Sequence, residues 1–331
     1  MKKSSIFDVI IRCDGNSKIG MGHIFRTLNL ASVLIKNNYD ILFLTVNTSV
    51  KSLIKKKGFE CKLFPLKTLD QKKFLTNINS NILILDKKSE STLIINQYKK
   101  ISKVFFTIDY IGKNKNLIPL GVNILYPKSG SMKNFSGLEY AILNNNFKQS
   151  KKIKKSVNSI IILQGGADTD CFIPKIITAL DESPHPFQIT AIIGPSFRCY
   201  NELKIAEKNC TRSLVILKNI SNMYFEMLKH DMAITAGGMT LLELARCGIP
   251  CLVLGSEKQE EETAIFMQKY GFGLNLGFSK KFPKKQLLKQ TNFLIENYNL
   301  RKSMNKIGSK LIDGKGSTRV ANIITKNTNL N

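Results

Sequence analysis

The pattern that most limits what this chain can fold into is an alternation of short β-rich apolar runs with longer amphipathic stretches. The runs at 9–12, 41–46, 82–85, 104–108 and 123–125 are expected strands. Between the first two, 24–35 has apolar residues at helical spacing. Runs this short and this continuously apolar suit strands buried on both faces, so the pattern predicts parallel sheets built from βαβ units. At 151–155 a polar basic stretch interrupts it, and a second series follows at 159–163, 188–193, 214–216, 232–235 and 251–254. A helix is expected over 239–247, closed by Gly248 and Pro250, and a last one over 319–325 after Asp313-Gly-Lys-Gly. A chain of 331 residues suits two such α/β halves better than one core. We expect two Rossmann-like, doubly wound domains, 1–150 and 151–331. Open parallel sheets bind ligands just beyond their strand C-termini, which puts the expected site in a cleft shared by the two domains.

The formal net charge is +26, yet only seven of the 50 basic residues are arginine. Readers of phosphates and bases favour the bidentate arginine fork. The lysines are scattered apart from clusters at 55–57 and 151–155, and no zinc-finger spacing or RNP-like aromatic motif accompanies them. The charge reads as a solvated basic surface that attracts anionic substrates, not as a nucleic-acid interface. Seven cysteines, an odd number with no CxxC pair, read as small buried thiols in a reducing compartment. The first residues carry no apolar signal core, and no apolar run approaches the roughly 18 residues that span a bilayer. A cytoplasmic location without a membrane partner is expected.

The first chemistry-bearing motif is Asp14-Gly-Asn-Ser-Lys-Ile-Gly-Met-Gly-His-Ile-Phe-Arg26, between the first strand and the first helix. Gly20 and Gly22 let the backbone turn tightly and approach a ligand. His23 follows at the start of the helix as a candidate general base. Arg26 lies three residues on, along the same helical side, and Asp14 opens the loop. The alternative is a glycine turn with a surface histidine, although the chain has only three histidines. After Gly15 the next glycines come five and seven residues on, which is not a dinucleotide fingerprint. No cofactor is expected.

The second motif, Thr235-Ala236-Gly237-Gly238-Met239-Thr240-Leu-Leu-Glu243, again runs from strand through glycines into helix. Backbone N–H groups of Gly238, Met239 and Thr240 are positioned for an anion such as a diphosphate. Glu243, one turn in, is a candidate acceptor for ribose hydroxyls. A plain N-cap explains Thr and Glu but not the paired glycines. The third motif begins Gly255-Ser-Glu257-Lys258-Gln259 and offers polar groups beside the second, or an ordinary acidic helix start. The fourth, Gln164-Gly165-Gly166-Ala-Asp168, lines the same cleft or is simply a tight turn. No two histidines are adjacent, the acidic clusters lack liganding spacing, and there is no P-loop or nucleophile elbow, so no metal is expected.

These motifs, in this order, resemble the PseG/SpsG-type proteins, the family of the UDP-2,4-diacetamido-2,4,6-trideoxy-β-L-altropyranose hydrolase of pseudaminic acid biosynthesis, which is similar to the MurG-like GT-B glycosyltransferases. The matching stretches are 12–26, 138–143, 165–168, 236–243 and 313–320. The resemblance implies a GT-B-like fold and metal-independent hydrolysis of a UDP-linked sugar in surface-glycan synthesis, such as that on flagellin. It implies that UDP lies on the second domain near 236–243, with His23 activating water to attack the anomeric carbon. It implies a UDP-sugar as the chain's partner; apart from the resemblance, a monomer is expected.

Two positions depart from the family. It usually carries Glu-Asn-Gln where this chain has Glu257-Lys258-Gln259, and Asp-x-Tyr where this chain has Asp86-Lys87-Lys88. Lys258 is read either as a partner for a diphosphate or an acidic sugar, or as a solvated helix start. The alternatives to hydrolysis are a GT-B glycosyltransferase with the same donor site and a degenerate, non-catalytic nucleotide-sugar binding protein.

Overall fold

The computed structural model describes residues 5–16, 20–125, 133–148, 150–218, 220, 222–278 and 281–328. It divides into two compact units, Met1–Asn144 with Gly314–Asn331, and Asn145–Asp313.

The first unit runs β1 (Ser5–Cys13), α1 (Gly22–Ile35), β2 (Ile41–Thr45), α2 (Thr48–Lys56), β3 (Glu60–Leu63), α3 (Thr68–Leu75), β4 (Ile78–Asp86), α4 (Thr92–Ile101), β5 (Ser102–Ile108), β6 (Leu120–Asn123) and β7 (Lys133–Ser136). Its strands form one parallel sheet in the order β3-β2-β1-β4-β5-β6-β7. Val9, Ile10 and Ile11 of the central β1 are wholly buried, as helices on both faces require. α1 buries Ile24, Thr27, Leu28, Ala31 and Leu34, the three- and four-residue spacing of one helical face.

The second unit runs β8 (Ser159–Leu163), α5 (Phe172–Asp181), β9 (Gln188–Ile193), α6 (Tyr200–Asn209), β10 (Leu214–Lys218), α7 (Met223–Leu228), β11 (Met232–Thr235), α8 (Met239–Cys247), β12 (Cys251–Gly255), α9 (Lys258–Lys269), β13 (Leu274–Phe278), α10 (Lys284–Glu296) and α11 (Tyr298–Leu311). Its parallel sheet has the order β10-β9-β8-β11-β12-β13. Both sheets are doubly wound, each reversing strand order beside its first strand: at β1/β4 and at β8/β11.

Three features differ from the sequence-based expectation. The division is not 1–150 and 151–331, because the last helix, α12 (Gly316–Thr328), returns to the first unit. Its buried Val320, Ala321 and Ile324 form one apolar face, and α12 packs on α1 and β5. The helix start is fixed closely: a Cβ on Gly316 would stand 2.1 Å from the carbonyl oxygen of Ala141, and Ser317 Oγ donates to Leu143 O at 3.0 Å.

The strand expected at 123–125 is instead β6, ending at Asn123. The N–H groups of Ile124 and Leu125 leave the ladder for the carboxylate of Asp109. Strands β3, β7 and β13 carry no clear apolar run; each is an edge strand, where one flank is open and polar residues are tolerated.

The seven cysteines are not all thiols. Cys171 and Cys199 form a disulfide, whereas Cys13, Cys61, Cys247 and Cys251 are free and buried and Cys210 is free and half-buried. The pair caps α5 and α6, two helices packed side by side, a proximity that 28 residues of separation conceal. No helix among the described residues is long and apolar enough to cross a membrane.

Candidate functional site

In the first unit the β1/β4 switch point brings the His23 loop against the end of β4. Gly20, with φ of +73°, makes the turn that leads into α1. Residues 17–19 of this loop lie outside the described residues. His23 stands in the first turn of α1, and its Nδ1 lies 2.6 Å from Oδ1 of Asp86, the last residue of β4. A carboxylate at that distance accepts, so a neutral imidazole here carries its proton on Nδ1 and its lone pair on Nε2; Nη2 of Arg26 also lies 3.3 Å from Nδ1. The His23 side chain is 15% exposed while Asp86 is wholly buried, so the imidazole is the member of the pair that meets solvent.

Asp86 is held from behind. Arg26 grips it with Nε to Oδ2 and Nη2 to Oδ1, both at 2.6 Å, and its Nη1 bonds Asp109. Asp109 follows β5 in the left-handed region, φ +50°, with Oδ1 accepting from the N–H of Ile124 at 2.6 Å and of Leu125 at 3.0 Å. Burial opposes ionisation of Asp86, but Arg26 and His23 outweigh it and hold its carboxyl below the ordinary range. Burial likewise opposes the charge on Arg26, and the two aspartates more than compensate.

Two expected ligand contacts therefore have other employment. Arg26 is 2% exposed and its guanidinium is engaged by Asp86 and Asp109, so it faces the protein interior. Asp14 is clamped by Arg12, Nη1 to Oδ1 at 2.5 Å and Nη2 to Oδ2 at 2.6 Å, and accepts from Val46 N at 3.1 Å. It ties the ends of β1 and β2 together. Burial raises the Asp14 pKa, but Arg12 wins and the carboxyl sits below its usual range. Gly22 opens α1 directly before His23. Of the departure 86–88, Lys87 pairs with Glu90 at 2.7 Å and with Asp14 at 4.0 Å.

In the second unit the expected glycine loops converge at the ends of β8, β9, β11 and β12. Ala236 N donates to Leu163 O, joining the loops after β8 and β11 at their switch point. A Cβ on Gly237 would lie 2.0 Å from the backbone oxygen of Glu260, so this loop rests directly on the start of α9. Gly165 has φ +69°, and Gly166 backs onto Gly194, where a Cβ would meet Gly166 backbone at 2.4 Å. Gly238 is the N-cap of α8 and has no side chain to cap the first-turn N–H groups, the kind of helix start that can accept an anion.

Glu243, one turn into α8, is half-buried, and burial alone pushes its carboxyl up to about 7. At the start of α9, Glu257 accepts from the Glu260 backbone while Glu260 accepts from Ser256 N at 2.8 Å and Glu257 N at 3.3 Å, a reciprocal capping box. Glu257 is thus occupied in capping, and Lys258 next to it is exposed. The side chain of Gln259 lies outside the described residues.

The expected contacts did not include Asp109 or Gly194, had Arg12 only within a matching stretch and Gln164 only as the start of the fourth motif, and treated Asp86 only as part of a departure from a family pattern. A signal was present for the two aspartates. Each ends or directly follows an apolar run of a parallel sheet, where ligand-facing residues gather. Gln164 stands in the equivalent place after β8, 5% exposed, with Nε2 unpartnered among the described residues.

The chain matches no protein-family model. It is 27% identical over 332 residues to the spore coat polysaccharide biosynthesis protein SpsG of Bacillus subtilis, covering 95% of this chain and 96% of that protein. This is homology over nearly the full length of both. It is 29% identical over 279 residues to an uncharacterized protein of Methanocaldococcus jannaschii, covering 77% of this chain but only 57% of that longer protein. Among solved structures, MurG of Acinetobacter baumannii matches with a TM-score of 0.71 at 12% identity, covering 96% of this chain and 99% of that one. The fold is that of the GT-B glycosyltransferases: two α/β units, each with a parallel sheet.

Proposed function

We propose that this protein is a metal-independent enzyme that hydrolyses a UDP-linked diacetamido-trideoxy sugar to UDP and the free sugar. The observation that carries the reading is His23, presented on a glycine turn with Nδ1 2.6 Å from a buried aspartate; as the neutral imidazole it donates from Nδ1 and keeps its lone pair on Nε2. Nε2 takes a proton from water as the water oxygen bonds to the anomeric carbon. The bond from that carbon to the diphosphate oxygen breaks, and UDP leaves with the electron pair. A positioned base of this kind contributes about 10²–10⁴-fold.

The uncapped start of α8 stabilises the departing diphosphate with backbone N–H groups. Glu243 accepts ribose hydroxyls, and Lys258 offers a cation beside the diphosphate or the sugar. Homology to a polysaccharide biosynthesis protein and the GT-B fold both support a nucleotide-sugar substrate and a place in surface-glycan synthesis. The likeness to MurG equally supports a second reading, a glycosyltransferase in which the hydroxyl of a sugar acceptor replaces water at the same base.

The test is release of UDP by purified protein from a panel of UDP-linked amino sugars, without metal and without acceptor. Hydrolysis predicts UDP and free sugar in equal amounts. UDP release only with an added sugar acceptor establishes the transferase instead. Tight UDP-sugar binding with no turnover under either condition shows a binding protein and overturns both enzymatic readings.

A further inference from the structure

Arg26 has the position of a ligand contact in the sequence and the burial of a core residue in the structure. Its three nitrogens meet two aspartates: Nε and Nη2 hold both oxygens of Asp86, and Nη1 meets Asp109, while Nη2 also lies 3.3 Å from His23 Nδ1. Asp109 cannot easily move in turn. Its backbone N donates to Val122 O at 2.8 Å, and Oδ1 takes two further backbone N–H groups just past the end of β6. The chain therefore links three neighbouring strand ends, β4, β5 and β6, to the first turn of α1. Among its members only His23 has appreciable access to solvent.

A carboxylate beside an imidazole can rotate about its last torsion and lose either its distance or its plane. Here the fork of Arg26 takes both oxygens of Asp86 in a fixed, near-bidentate arrangement, which removes that freedom. We propose that Arg26 and Asp109 are positioning residues: they lock Asp86 in the orientation that fixes His23 as the Nδ1–H tautomer, with Nε2 as the basic nitrogen. The inference rests on the reading of His23 as the base but concerns a property of the resting protein. Asp109→Asn is the informative change. An amide cannot accept from the two backbone N–H groups and from Arg26 together, since one end of it is a donor. The orientation that keeps both backbone bonds turns the NH2 toward Nη1 of Arg26 and displaces it; the opposite orientation gives up two bonds to save one.

The experiment records long-range ¹H–¹⁵N correlations of the histidine side chains in the full chain, with His23→Gln identifying the His23 signals. The expected wild-type pattern is the Nδ1–H tautomer. Asp109→Asn and Arg26→Lys are each expected to give a mixture of tautomers, with backbone amide spectra otherwise preserved. An Nε2–H tautomer in the wild type overturns the proposal without any variant. So does an unchanged Nδ1–H tautomer in either folded variant. If UDP-sugar turnover is found, the same variants should lower kcat by about 10–100-fold, as loss of a supporting shell does, with KM within about twofold. Absence of turnover on every donor sinks the hydrolase reading and leaves the tautomer result standing.

Discussion

Asp86 Oδ1 lies 2.6 Å from Nδ1 of His23, a contact made across 63 residues of sequence because β1 and β4 are neighbours in the sheet. The buried carboxylate holds the imidazole by one nitrogen and leaves the other for chemistry. On the hydrolase reading, His23→Gln should lower kcat by about 10²–10⁴-fold, and Asp86→Asn by about 10²–10³-fold, since an amide tolerates the wrong tautomer. Calorimetry should show UDP affinity within about twofold of wild type in both, because the loops proposed to hold the nucleotide belong to the other unit. Substantial turnover by His23→Gln would remove it as the base.

Glu243 makes stability depend on pH. Its folded carboxyl is raised from 4.5 to about 7 by burial, so the native state prefers it protonated. That contribution is fully present below the ordinary carboxyl range and is lost as pH rises through about 7. Glu243→Gln should therefore stabilise the protein more at pH 8.5 than at pH 4.5, with a difference of ~1–3 kcal/mol. Urea denaturation at the two pH values measures it, and a difference of the opposite sign would show that the carboxylate is favoured in the fold.

Two glycines of the loops proposed to hold the nucleotide should respond differently to alanine. At Gly237 the new Cβ would meet the Glu260 backbone at 2.0 Å, so the start of α9 must move. At Gly165 nothing stands within 4 Å, and only the positive φ is strained. Gly237→Ala should destabilise by ~1–3 kcal/mol and weaken UDP binding. Gly165→Ala should cost about 1–2 kcal/mol, a backbone effect alone. Thermal melts with and without UDP separate the two cases; equal behaviour would show that the loop does not rest on α9.

The Cys171–Cys199 bond closes a span of 28 residues. A link of that length removes unfolded-state entropy worth roughly 3–4 kcal/mol in the chain-entropy model. Reductant should lower the melting temperature of the wild type to that of Cys171→Ser, and should leave Cys171→Ser itself unchanged. Mass spectrometry under native and reduced conditions checks the bond directly, and five free thiols in the oxidised protein are expected.

Much of the architecture is legible in the amino-acid sequence. Central strands such as β1, β8, β9, β11 and β12 are buried on both faces and must be continuously apolar, so they stand out in the sequence. The glycine loops were equally visible, because a turn such as that at Gly165 or a contact such as Gly237 on Glu260 excludes most side chains wherever the loop lies. The edge strands β3, β7 and β13 were not visible, since an edge does not require an apolar run, although the edge strand β10 has one.

The amino-acid sequence by itself determined which segments are buried strands and where the backbone must turn, because burial on two faces and the absence of a Cβ are local requirements. Only the tertiary structure decided that Arg26 faces Asp86 and Asp109 instead of a ligand, that Asp14 is spent on Arg12, that Cys171 meets Cys199, and that α12 belongs to the first unit. Each of those pairings depends on which strands and helices become neighbours. An aspartate at a strand end has the same local sequence whether it meets a substrate, an arginine or water, and an apolar helix face does not record which sheet will cover it.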